Sequence, residues 1–162
     1  MRRGVFAVAG AVVAIGLLSG CGAEILPLVA VRVDGEGRAQ AVIRPCGDDP
    51  VHGVSLSGAP DEDESGDVLS GWRVPGKLRA ADAEFPLFSP PAAWHAQAIG
   101  PQRPVSAYTY ELGFGKGEST YEYTGSVTFR ARDLATLAPG QVWADDRAMS
   151  LGEFEELAEG SC

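Results

Sequence analysis

Few residues in this chain are of types that do chemistry, and their spacing narrows what that chemistry can be. The densest group is the loop DEDESGDV at 61–68, where Asp61, Asp63, Ser65 and Asp67 put oxygen ligands at alternate positions and Gly66 lets the chain turn. That is the order in which a loop wraps a calcium ion, but calcium takes six to eight oxygens and the twelfth position here is Trp72 rather than a bidentate glutamate. A run of acids in a loop is otherwise a solvated surface. The expectation is therefore no cofactor, with calcium at this loop as the alternative. The two histidines, His52 and His95, lie far apart in the sequence, and no H-x-x-x-H or C-x-x-C spacing accompanies them. No G-x-S-x-G or S-x-x-K pattern supplies an activated serine. No catalytic residue is assigned, and the expectation is a protein that is not an enzyme.

The remaining chemistry is that of thiols. There are three cysteines, at 21, 46 and 162. The first closes an N-terminal segment that begins Met1-Arg2-Arg3 and runs without charge from Gly4 to Ala23. Paired arginines, an apolar stretch and a small-residue exit are the three regions of a secretory leader. The apolar stretch from Val5 to Leu18 would rise about 21 Å as a helix. A bilayer core is about 30 Å thick, so the stretch is short for a permanent span.

The exit reads Leu18-Ser19-Gly20-Cys21. It resembles the bacterial lipobox, in which a leucine and two small residues precede a cysteine whose sulfur is diacylglycerylated before the chain is cut in front of it. The resemblance implies a leader at 1–20, a lipidated Cys21 at the head of the mature protein, and a site on the outer face of the cell membrane. A diacylglyceryl group carries two chains, and stable anchoring takes more than one. If the lipid takes Cys21, Cys46 and Cys162 remain as a pair, and an exported protein meets conditions in which a disulfide persists. Closing so long a loop is worth about 4–5 kcal/mol in the chain-entropy view.

Loss of the leader removes two arginines and no acid, leaving 11 basic against 22 acidic side chains, a net −11. That excludes nucleic acid as a partner and a polybasic hold on anionic lipid. The expected partners are the membrane, through the lipid, and another protein or an envelope component.

The elements that position these residues read mainly as strands. After a tether at 21–27, a single domain is expected over 28–162. Val29, Val31 and Val33 alternate with polar residues, DGEG at 34–37 is a turn, and Ala39, Ala41 and Ile43 alternate again: a hairpin from about 28 to 45. A weaker strand is expected over 51–56, a loop over 57–67 and a strand over 68–74. In AEFPLFSPPAAWHA the prolines at 86, 90 and 91 allow an edge strand and a turn but no central strand. Trp94 follows those prolines and is the aromatic most expected to be exposed for binding, with covering an open end of the sandwich as the alternative. The clearest alternation lies at 105–132. Tyr108, Tyr110, Leu112 and Phe114 share one face, and so do Tyr121, Tyr123, Val127 and Phe129, which predicts an antiparallel hairpin with one buried face.

At the C-terminal end, Ser150 and Glu153 have the spacing of a capping box, and Leu151, Phe154, Leu157 and Ala158 form one helical face. A short helix over 151–159, stopped at Gly160, would bring Cys162 to Cys46. The fold class expected is an all-β antiparallel sandwich with a short C-terminal helix. The stretch LAPGQVW at 137–143 is similar to the inter-sheet corner of immunoglobulin-like and fibronectin-III-like sandwiches, which implies that Trp143 packs beneath the corner. With FPLFSPPAAW at 85–94, FRARDLATLAPGQV at 129–142 and the lipobox, the chain also resembles small secreted lipoproteins of high-GC actinobacteria, a group that implies a location and a fold rather than an activity.

Overall fold

The computed structural model describes residues 23–48, 50–61, 65–79, 81–116 and 122–162. In chain order the strands are β1 (Glu24–Leu26), β2 (Val29–Val33), β3 (Ala39–Ile43), β4 (Val51–Pro60), β5 (Ser70–Arg73), β6 (Lys77–Leu78), β7 (Ala83–Pro86), β8 (Gln97–Ile99), β9 (Tyr108–Lys116), β10 (Tyr123–Arg130), β11 (Gln141–Ala144) and β12 (Arg147–Ser150). The helices are α1 (Ala131–Ala135) and α2 (Leu151–Ser161), with a 3-10 turn at Ala92–Trp94.

The strands form two sheets. The larger has the order β1-β10-β9-β4-β5-β8, with β6 also on β4; the smaller has the order β12-β11-β2-β3-β7. Consecutive strands are divided between the two sheets, β2-β3-β7 lying side by side in one and β4-β9-β10 in the other, as an all-β sandwich requires. The two expected hairpins are present, with Val31 opposite Ala41 and Leu112 opposite Val127. The proline-bearing β7 lies at the edge of its sheet, as a strand without a full set of N–H donors must.

One core runs between the sheets. Val31, Ala41 and Phe85 face inward from the smaller sheet, and Leu56, Trp72, Tyr110, Leu112 and Phe129 from the larger. The Trp72 indole N–H donates to the Leu87 carbonyl at 2.8 Å, joining the two sides. In β4 a bulge between His52 and Ser55 lets Val51 and Val54, three apart, both turn inward, and Gly53 takes a φ of 60° there. This is why 51–56 alternates only weakly. Further along, Gly58 lies under the Tyr110 ring, and any β-carbon there would stand 2.2 Å from a ring carbon.

The second face of the smaller sheet is buried over part of its area, while Glu84 and Pro86 on it stay exposed. Ala30, Val42 and Val142 point away from the inter-sheet core, yet none is exposed. Helix α2 packs on the same sheet at β11 and β12, and its Phe154 and Ala158 are buried. From its flank Glu155 accepts from Arg44 Nε and Nη2, at 2.6–3.0 Å, at the end of β3. Its start is the expected capping box: Glu153 N–H donates to Ser150 Oγ, and Ser150 N–H to the Glu153 carboxylate. Its end carries the expected disulfide, Cys46–Cys162, with Cα atoms 5.5 Å apart.

Several expectations need correction. The helix runs through Gly160 to Ser161 rather than stopping before it. Strand β4 extends to Pro60, so the expected loop at 57–67 starts later, and a second helix, α1, follows β10 directly. Residues 24–26 of the expected tether are already a strand, parallel to β10. The lipobox and leader lie outside the described residues, as does Tyr121.

Candidate functional site

Three surfaces hold the residues singled out above. The first is the end of the sandwich that carries the disulfide. Strand β1 enters the larger sheet there, with Glu24 beside Tyr123. The Tyr123 hydroxyl accepts from Cys46 N–H at 2.9 Å, and Lys116 Nζ donates to the Cys46 carbonyl at 2.9 Å while lying 5.5 Å over the Tyr123 ring. The bridge is thus held by both sheets. Beside it Arg44, Asp82, Glu155 and Cys162 line a shallow cleft of about 330 Å³. The Arg44 guanidinium is held further toward its charged form, first by hydrogen bonds from its side chain to Glu155. These contacts make a structural joint rather than a reactive thiol, since both sulfurs are spent on each other.

The second surface is the acidic loop. Asp61 is exposed, but its carboxylate accepts from the Thr109 hydroxyl and from Arg130, whose Nη2 stands 3.1 Å away. The Thr109 bond first, and Arg130 after it, hold Asp61 below the usual carboxylate range. A cation at this carboxylate would have to displace a guanidinium that already neutralises it. Ser65 Oγ accepts from Asp67 N–H at 3.1 Å, an ordinary turn contact, and Asp63 lies outside the described residues. Among the described residues no three His, Cys, Asp or Glu side chains gather as a metal-holding group. Calcium at this loop gains no support from the geometry.

The histidines stand on separate elements. His52 is half-buried on β4, and His95, exposed with φ 51°, closes the 3-10 turn. Trp94 is not the exposed binding aromatic expected. It is half-buried, its ring edge-on to Phe85 with centroids 4.9 Å apart, and it covers that end of the core. Among the described residues the exposed large apolar side chains are instead Ile25 (71 %), Val68 (39 %) and Leu69 (41 %).

The third surface is the outer face of the larger sheet, which no element among the described residues covers. Ser55 and Ser57 on β4, Glu111 and Gly113 on β9, and Thr124 and Ser126 on β10 lie side by side across it and line a shallow groove of about 270 Å³. Sequence reasoning registered these residues only as the polar side of each strand. The signal available was their smallness, which leaves the face flat and accessible along three strands.

The stretch 137–143 carries the chain from β10 in one sheet to β11 in the other, and the Trp143 indole N–H donates to the Thr128 carbonyl at 3.0 Å. A separate tie is made near the start of β9, after the loop that joins β8 to β9 within the larger sheet. There the Tyr110 hydroxyl accepts from Val105 N–H at 3.0 Å and donates to the Arg103 carbonyl at 3.4 Å.

No protein-family profile, no curated protein and no solved structure matches this chain.

Proposed function

We propose that this protein is an extracytoplasmic lipoprotein, held on the outer face of the cell membrane by acyl chains on Cys21, whose sandwich is a non-enzymatic binding or accessory module. The observation that carries the reading is the pairing of Cys46 with Cys162. It uses two of the three cysteines, so the third, behind Leu18-Ser19-Gly20, needs a different chemistry, and thioether lipidation supplies one. Among the described residues no helix is long and apolar enough to cross a membrane, so attachment in this reading falls to the lipid.

The binding role is supported by the contrast between the tied-down acidic and disulfide regions and the uncovered outer face of the larger sheet. Backbone there is shielded only by Gly, Ser and Thr, with Glu111 as its carboxylate. The partner in this reading is another protein or an envelope component.

Cys21→Ser is the direct test. It should block lipid attachment and move the protein from the membrane fraction to the precursor or soluble fraction. A mass spectrum of the wild type should show a diacylglyceryl-modified N-terminal cysteine at 21. A wild-type chain that carries no lipid, or fractionates identically with serine at 21, overturns the proposal.

A further inference from the structure

The lipid anchor proposed above, on which this inference rests, fixes more than location. Ala23 is the first described residue, and Glu24 is already paired in the sheet. Only Gly22 stands between Cys21 and Ala23, so the two Cα atoms are at most about 7.6 Å apart. The body of the domain is far longer than that. Strand β9 has nine residues, which span about 30 Å at the rise of an antiparallel strand.

The direction of entry is equally definite. Strand β1 runs parallel to β10, from Glu24 beside Tyr123 to Leu26 beside Gly125. The chain therefore comes in from the end that holds Tyr123, Lys116 and the Cys46–Cys162 bridge. The turn at 34–38, Asp61, and the Pro101–Val105 segment lie at the other end, beyond Val33, Pro60 and Tyr108. A two-step tether keeps the disulfide end next to the lipid and cannot place the far end nearer to the anchor than that end.

We infer that the bilayer is the surface faced by the disulfide end of the sandwich, with the segments at 34–38, 65–69 and 101–105 held farther out. Ile25, apolar, 71 % exposed and four residues from Cys21, lies on the membrane side of the molecule. The charged side chains at this end are mixed: Arg44, Lys77 and Arg79 against Glu24, Asp82 and Glu159. The orientation therefore comes from the short tether and not from attraction to anionic headgroups, and it should persist in high salt.

The test uses the processed, lipidated protein with its disulfide closed, reconstituted in phosphatidylcholine vesicles. A fluorophore is placed at Asp48→Cys, next to the bridge, or at Glu36→Cys, in the far turn, and energy transfer to a headgroup dye is read. Transfer should be several-fold greater from position 48 than from 36, at low and high salt alike. Inserting twenty Gly and Ser residues between Gly22 and Ala23 gives a tether of about 25 Å root-mean-square length, which should erase the difference while the protein still floats with the vesicles. Equal transfer from the two positions in the floated, short-tethered protein overturns the orientation and leaves the anchor standing. A protein that does not float with the vesicles overturns the anchor and the orientation together.

Discussion

In the smaller sheet, Ala30, Val42 and Val142 point away from the sandwich core and are still fully buried, and α2 packs on the same sheet at β11 and β12. In the larger sheet, the residues in the same relation to the core are Ser55, Ser57, Glu111, Thr124 and Ser126, and no element among the described residues lies over them. Each sheet has a second face, and side-chain chemistry decides its fate. Apolar second faces need a cover, and this chain makes one from its C-terminal residues and ties it down with a disulfide. A face of hydroxyls and glycines is stable in water and stays available. The division of labour is between a sheet that is packed and a sheet that is presented.

The comparison can be broken most directly at the bridge. Replacing Cys46 and Cys162 with serine should cost about 2–5 kcal/mol, seen as a lower denaturant midpoint, because a cross-link over a sequence separation of 116 restrains the unfolded chain strongly. Of the same order is the cover itself. Phe154→Ala should cost about 3–5 kcal/mol if the bridge is intact and less if the site collapses, whereas Ser126→Ala on the bare face should stay within about 0.5 kcal/mol. Equal effects of those two substitutions in urea unfolding would remove the distinction between packed and presented sheets.

The smallest effect is that of acid. Asp34 is held below the usual carboxylate range first by Arg38 N–H, Asp61 first by Thr109, and Glu153 first by Ser150 N–H at the capping box of α2. Carboxylates depressed in the folded state contribute stability that is present above their unfolded pKa and lost as pH falls through the folded one. The melting temperature should therefore hold steady down to the ordinary carboxylate range, near pH 4, and decline below it. Asp61 and Glu153 are exposed and Asp34 is half-buried at the surface, so the decline is shallow, and a steep loss above pH 5 would contradict this assignment.

Legibility in the sequence followed the same division. The hairpin at 105–132 could be read because one face of it is solvated, so apolar and polar residues alternate. The capping box of α2 could be read because Ser150 and Glu153 act over one turn. The cover on the smaller sheet could not, since VAV and AVI can be sorted as one alternating face when nothing in the local sequence says that a helix from 151 onward will bury the other. The β11–β12 hairpin escaped because its turn is Asp145-Asp146, both at positive φ, where Asn-Gly or Asp-Gly is the usual signal. Strand β1 is three residues long and has no periodicity to show. The candidate binding face was visible residue by residue but not as a surface, because only the pairing of β4, β9 and β10 brings Ser57, Glu111 and Thr128 into one row.

Helix α2 comes after every strand in the chain, and Cys162 comes after the helix. Synthesis proceeds from the N-terminus, so the hydrophobic strip made by Ala30, Val42 and Val142 is complete before its lid exists. Maturation is therefore ordered in time: the oxidant that joins the sulfurs acts last, on a nearly finished body, and until then the nascent protein carries a sticky flank that a chaperone or sheer speed must shield.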